Sequence, residues 1–287
     1  MSFLCFWDWF YPSFGADLLV TFLGAVFGLG AAYWIYLLSI HQVRNDRLKY
    51  VISLIETIVP SANRQVGYCK EYAQHIVEQP WSNQFLKLEA NRDPKRLADK
   101  VDQEGVYHAF LWKYGRTEEN YKAFQNLYGF IDYLDYLIED LIKTNERVLT
   151  FTWERKKQYQ LTFKKAKEVI QSLTLVREIN EVQPELISYS SELLEKFSQN
   201  QSGENIVDSY QIVVQPLQEY IIQKAKEHPK VTELLFLTQA LTEEYTGIEL
   251  SAKHNAEHYK EYGDSIEAAA KNLLDVSTQL RRDFGSI

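Results

Sequence analysis

Five consecutive residues come nearest to metal chemistry: His254-Asn255-Ala256-Glu257-His258. This is the H-x-x-E-H pattern of some zinc proteases, in which two histidines four apart share one helix face as zinc ligands. Those enzymes need a further acidic ligand well downstream in a mixed α/β scaffold. Only 29 residues follow His258. Lys253, Lys260 and Glu261 surround the pair with charge, the pattern of a solvated face. Di-iron helical bundles use Glu-x-x-His. None of the 6 histidines has a glutamate three residues before it. Cys5 and Cys69 lack any partner spacing for a disulfide or a zinc site. There is no Gly-rich phosphate loop and no G-x-S-x-G elbow. The expectation is a chain that is not an enzyme and carries no metal and no cofactor.

A second group could bind rather than react. Trp153, Arg155, Lys156, Lys157 and Tyr159 are followed by Phe163, Lys164, Lys165 and Lys167. Between 153 and 167 there are six basic residues and one acidic, in a chain of net charge -8. Ammonium and guanidinium groups hold phosphates, and aromatic faces stack on bases. One reading is a site for a nucleotide or short oligonucleotide; the other is a helix face pairing with acidic neighbours. A protein that coats long nucleic acid is usually basic, so the overall acidity argues against that role.

These residues must be positioned by helices. The 287 residues include only 12 Gly and 7 Pro, with 46% hydrophobic and 24% charged. Long unbroken stretches favour helix over a many-stranded sandwich. From 18 to 40 there is no charged residue. As a helix these residues measure about 35 Å, enough to cross a hydrocarbon core of about 30 Å. No other stretch is long and apolar enough. The first 40 residues hold no Lys or Arg, so a cleaved signal peptide is disfavoured. Asp8 and Asp17 precede the stretch, while Arg44, Arg47 and Lys49 follow it. Positive residues stay inside. The expected layout is an outward, aromatic-rich segment 1–17, a membrane helix 18–40 and a cytosolic helical domain 41–287, in the inner (plasma) membrane.

Phe3, Phe6, Trp7, Trp9, Phe10, Tyr11 and Phe14 crowd the N-terminus. They read as an interfacial anchor, or as a plug packing against copies of itself. Along the apolar helix, Asp17, Thr21, Gly24, Gly28, Ala31 and Ile35 fall on one stripe, with Ala32 and Ser39 beside it. Small residues let membrane helices approach closely. A stripe of this kind suits self-association. It could line a pore only if several copies assemble.

Beyond 40 the chain reads as helix after helix. Leu48, Val51, Ile52, Ile55 and Val59 carry a helical period out of the membrane, with Pro60 the first expected break. A second helix runs to about Gln79, closed by Pro80; an irregular stretch follows, and Pro94 opens the next helix. Thr117 starts the most regular segment, from Tyr121 through Phe124, Leu127, Ile131, Leu134 and Leu141 to Leu149. The pattern resumes from Val169 to Ile179 and stops at Pro184. Residues 198–203 form the clearest loop. Pro216 should kink or restart a helix, and His228-Pro229 marks another break. The tail buries Ile266, Ala270, Leu273, Leu274, Ser277 and Leu280 on one side. The expected fold class is all-α: one N-terminal transmembrane helix followed by a cytosolic bundle of long antiparallel helices.

This plan resembles the membrane effectors of bacterial anti-phage defence, and most of all the channel effector of the Hailong system. The resemblance rests on the aromatic N-terminus, the span with Gly24 and Gly28, and the helical body. It implies a tetrameric, or otherwise homo-oligomeric, ion channel kept shut by a short single-stranded DNA oligomer and opened on infection. A different class of function also fits the layout: a membrane-tethered helical scaffold or signalling adaptor that recruits a cytosolic protein.

Overall fold

The computed structural model describes residues 4–89, 101–175, 183–200 and 205–284, with side chains from 17 to 281 within those ranges. Every element among them is a helix. We label them α1 (Leu4–Glu78), α2 (Gln103–Tyr114), α3 (Glu118–Leu173), α4 (Pro184–Gln199), α5 (Ile206–Ser209), α6 (Gln215–Lys224) and α7 (Pro229–Phe284). A π-helical segment, Tyr210–Val214, joins α5 to α6. The fold is all-α, as its sequence predicts.

The helix that begins before the apolar stretch does not end with it. α1 passes through 40 and through Pro60 to Glu78. The break expected at Pro60 is absent. The proline deprives the Glu56 carbonyl of its usual donor. However, Pro60 lies on the exposed face, while Ile58, Val59, Ser61 and Ala62 around it are buried. Packing on both sides holds the helix where propensity alone would not. Pro80 does close it: Gln79 makes the last helical bond, to His75 O, the residue before a proline is disfavoured in the helical region, and Ser82 N–H donates to Gln79 O in a turn.

Other boundaries follow their predicted signals. Thr117 caps α3, its hydroxyl accepting from Asn120 N–H at 3.3 Å. Pro184 and Pro229 open α4 and α7. Pro216 restarts a helix, and the turn before it is widened: Gln215 N–H reaches back five residues to Tyr210 O. That relieves the clash a proline makes with the preceding turn. α4 extends to Gln199, so the loop expected from 198 begins later. Pro94 and the run 176–179 lie outside the described residues.

The chain divides into two compact units: Met1–Ile58 with Arg92–Asp132 and Leu273–Ile287, and Val59–Asn91 with Tyr133–Asn272. The stretch 41–287 therefore contributes to both units.

In the first unit α2 lies antiparallel to α1. Arg47 pairs with Asp102 at 3.0 Å, and the Trp112 ring meets His41 edge-on at 4.5 Å. Asp102 caps α2 by accepting from Gly105 N–H at 2.9 Å. Gly105 allows the close approach: a Cβ there would run into the Arg47 guanidinium. Leu48, Val51, Ile52, Ile55 and Ile58 are buried on α1, as are Val106, Ala109 and Phe110 on α2. From α3 come Phe124, Leu127 and Ile131, and from α7 Leu273, Ser277 and Leu280. Leu274, expected beside them, is exposed; it sits one residue past Leu273, about 100° round the helix. Arg281 pairs with Glu56.

In the second unit α3 and α7 run antiparallel. Tyr259 O–H donates to Asn145 Oδ1 at 3.1 Å, and Arg155 meets Glu244 at 3.3 Å. α7 is antiparallel to α1 as well, with Lys70 at 2.6 Å from Glu267 and the Tyr72 ring against Tyr259. Tyr159, Phe163, Ala166, Ile170 and Leu173 of α3 pack in one core with Leu186 and Leu193 of α4, Leu217 of α6 and Leu234 of α7.

Candidate functional site

Two places hold the residues that sequence singled out. The first is the apolar part of α1. Residues 17–36 are all exposed. Phe22, Phe27 and Leu29 are 65%, 73% and 72% accessible, a degree of apolar exposure that water opposes. Asp17 through Glu78 includes a stretch long and apolar enough to cross a membrane, the one such stretch among the described residues. Asp17, Thr21, Gly24, Gly28, Ala31 and Ile35 do lie on one face of it. Thr21 turns its hydroxyl back to Asp17 O at 2.7 Å, so its hydroxyl is satisfied within the helix. A Cβ added at Gly24 or Gly28 would meet nothing. Among the described residues no other part of the chain covers that face. The side chains of Phe3, Phe6, Trp7, Trp9, Phe10, Tyr11 and Phe14 lie outside the described residues.

The second place is α3 from 153 to 167, which the structure splits among three environments. Tyr159 is 1% exposed, and its hydroxyl bonds Ser209 Oγ at 3.0 Å. Burial pushes its phenol well above the usual range. Phe163 is buried beside it. These two rings belong to the core, not to a stacking surface. Arg155 is turned toward α7 and pairs with Glu244. Trp153, Lys157 and Lys164 fall on one exposed stripe, at steps of four and seven residues. The Lys157 ammonium sits 5.1 Å from the centre of the Trp153 ring. Lys167 lies over the edge of the core at Phe163, 5.2 Å from its ring. Lys165 is exposed on another side of the helix.

Lys156 has a structural occupation that its sequence context hides. Its ammonium donates to Trp81 O at 2.9 Å, Ser82 O at 2.9 Å and Asn83 Oδ1 at 3.3 Å. All three donors of the group are used. Burial pushes its pKa below the usual lysine range. It thereby pins the start of the extended strap 79–89. The far end is pinned by Gln65, which is 3% exposed: its amide donates to Lys87 O at 3.2 Å and accepts from Glu89 N–H at 2.8 Å. Arg64 also holds the Glu89 carboxylate at 2.8 and 3.2 Å, and that hydrogen bond lowers the acid's pKa. Trp81 is stacked on Tyr245 at 4.3 Å, and Tyr245 on Tyr210 at 3.7 Å.

Strap and helices enclose a cleft of about 670 Å³. That is within the range of small-molecule sites, roughly 300–1,000 Å³. Its walls include Tyr72, Phe85, Trp153 and Ile248, with Asn255 and Lys156 among the polar groups. Phe85 and Trp153 are 70% and 62% exposed, so two flat rings border the opening. Sequence reading found Trp153 and Lys156 but missed Phe85, Gln65 and the Trp81–Tyr245–Tyr210 stack. The only signal was an aromatic residue directly after the helix-ending Pro80.

The histidine pair stands apart from this cleft. His254 Nε2 and His258 Nε2 are 3.0 Å apart on the exposed face of α7, and His258 Nδ1 is 3.4 Å from Glu261. Among the described residues no three His, Cys, Asp or Glu side chains are grouped to hold a metal. Comparisons with protein-family models, with curated proteins and with solved structures find no match to this chain.

Proposed function

We propose that the chain is a single-pass protein of the inner (plasma) membrane, its N-terminus outside and its C-terminal part cytoplasmic. It assembles through the Asp17–Thr21–Gly24–Gly28–Ala31–Ile35 face into a homo-oligomeric channel, an effector of the anti-phage type that the layout resembles. The observation that carries this reading is the bare apolar helix. Its flanks are charged only on one side in Lys and Arg, and its narrow face has no occupant among the described residues. A membrane supplies the apolar surroundings, and neighbouring copies supply close backbone contact. The ligand is a nucleotide or short single-stranded oligonucleotide. Bases stack on Trp153 and Phe85, and phosphates meet Lys157 and Lys164. Tyr159 and Arg155 take no part in that contact.

The test is conductance of the purified protein in a planar bilayer, paired with its oligomeric state in detergent by electron microscopy. A ring with a lumen and ion passage are expected. A strict monomer that passes no ions overturns the reading. A competing role, a tethered scaffold, draws on Tyr136 and Phe151, exposed on α3. A lumenless dimer that recruits a cytosolic protein would favour it.

A further inference from the structure

The end of the apolar stretch is not bare helix. α2 runs antiparallel to α1, so its C-terminal end points back toward that stretch. The register is fixed at two places, Arg47 with Asp102 and His41 with Trp112. Uncharged sequence ends at Ile40, so Trp112 stands one residue beyond it. Tyr114, the last residue of α2, lies about 3 Å further along at roughly 1.5 Å per residue. Gly115, at φ 93, turns the chain there, a conformation that favours glycine. Arg116 follows and is exposed. Headgroups add roughly 5–7 Å to each side of the hydrocarbon core. The 23 uncharged residues, about 35 Å as helix, overreach a core of about 30 Å by about 2–3 Å at each end, so the turn 115–117 falls at the boundary between hydrocarbon and headgroups.

The residue types at this level suit that depth. On α1 the exposed Tyr36 lies about 6 Å inside Ile40, and on α2 Trp112 is 37% exposed. Tyr and Trp gather where hydrocarbon meets headgroups. The Arg44 guanidinium lies 5.5 Å from the centre of the Trp112 ring. In 41–50 and 105–116 there are five basic residues and one acidic, within a chain of net charge -8. Arg47 is engaged by Asp102. Arg44 and Arg116 are the arginines left to face the surface.

We infer that the C-terminal end of α2 and the facing residues of α1 form a collar for anionic lipid headgroups. Trp112 lies in the interface, while Arg44 and Arg116 hold lipid phosphates. The inference rests on the membrane-span reading above. It assigns α2 a membrane role that a simple tether does not need.

The experiment uses the full chain with Cys5 and Cys69 replaced by serine. Single fluorophores are placed through Gly28→Cys and Arg116→Cys. The chain is reconstituted in vesicles of phosphatidylcholine, alone or in equal mixture with phosphatidylglycerol. Lipids carrying a quencher at the headgroup or deep in the acyl chain report depth. The 28 label should be quenched by the deep probe and the 116 label by the headgroup probe. Lipids co-purifying with the otherwise native chain should be enriched in phosphatidylglycerol. That enrichment should fall roughly fivefold for each charge removed by Arg44→Gln and Arg116→Gln. A 28 label untouched by the deep probe overturns the span, and the collar with it. A deep 28 label with a 116 label quenched only from water overturns the collar and leaves the span standing. Headgroup quenching at 116 without phosphatidylglycerol enrichment overturns the anionic-lipid assignment.

Discussion

Replacing Lys156 by methionine should loosen the strap 79–89 and little else. The ammonium makes two 2.9 Å bonds to carbonyls and a longer one to Asn83. A hydrogen bond to a charged group is worth about 1.5–3 kcal/mol when fully buried. Trp81 and Ser82 are only half-buried, so water reclaims part of that when the amine is gone. Methionine also keeps most of the packing and removes a half-buried charge. Together these reduce the net loss to about 2 kcal/mol, or roughly thirtyfold in the strap's opening equilibrium. Hydrogen exchange followed by mass spectrometry on peptides covering 79–89 reads this directly. Exchange there should accelerate by that factor, with α7 unaffected. Lys157→Met, one residue away but facing Trp153, should leave it unchanged. Equal acceleration in both variants, or none in Lys156→Met, refutes the assignment of Lys156 as the pin. The same geometry bears on ligand tests: reversing charge at Lys156 damages the wall of the cleft whatever binds there. Lys157 and Lys164 are the informative positions, and Lys165 is the control.

Gln65→Leu should free the other end of the strap. It leaves Glu89 N–H and Lys87 O without their partners and costs about 2–3 kcal/mol, read as faster exchange of the Glu89 amide. Acid should do something similar through Glu89. Arg64 holds its carboxyl below the usual range in the fold, so its stabilising effect is full above the unfolded value of about 4.3 and is lost as pH falls through the lower folded value. Strap exchange should therefore rise more steeply in acid for the native chain than for Glu89→Gln. Tyr159→Phe should lower stability by about 1 kcal/mol through loss of the Ser209 bond. Its binding of a fluorescent oligonucleotide should stay unchanged; a loss at full folding would return Tyr159 to the site.

Much of the fold is legible because its signals are local. Twenty-three uncharged residues announce the apolar helix, and Thr117, Pro184 and Pro229 mark helix starts by their own chemistry. Pro60 misleads because its cost is repaid by buried neighbours, which are tertiary facts. The basic cluster misleads in a different way. Tyr159, Phe163, Ala166, Ile170 and Leu173 step by four, three, four and three, the period of a buried face. Charges between them drew attention to composition when spacing held the answer. The strap was unreadable, because an extended segment with no regular element owes its place to partners far away in sequence, Lys156 and Gln65.

The unbroken course of α1 has a mechanical consequence. From the glycine face at 24 and 28 to Arg47, where α2 is clamped, no loop intervenes. The azimuth of that face is therefore geared to the clamp. Each residue inserted between 41 and 46 would rotate the face by about 100° and shift it by about 1.5 Å. In the proposed assembly, one inserted residue should aim the glycines away from the neighbouring copy. Seven should restore their heading to within about 20°. Length along this rod matters less than phase.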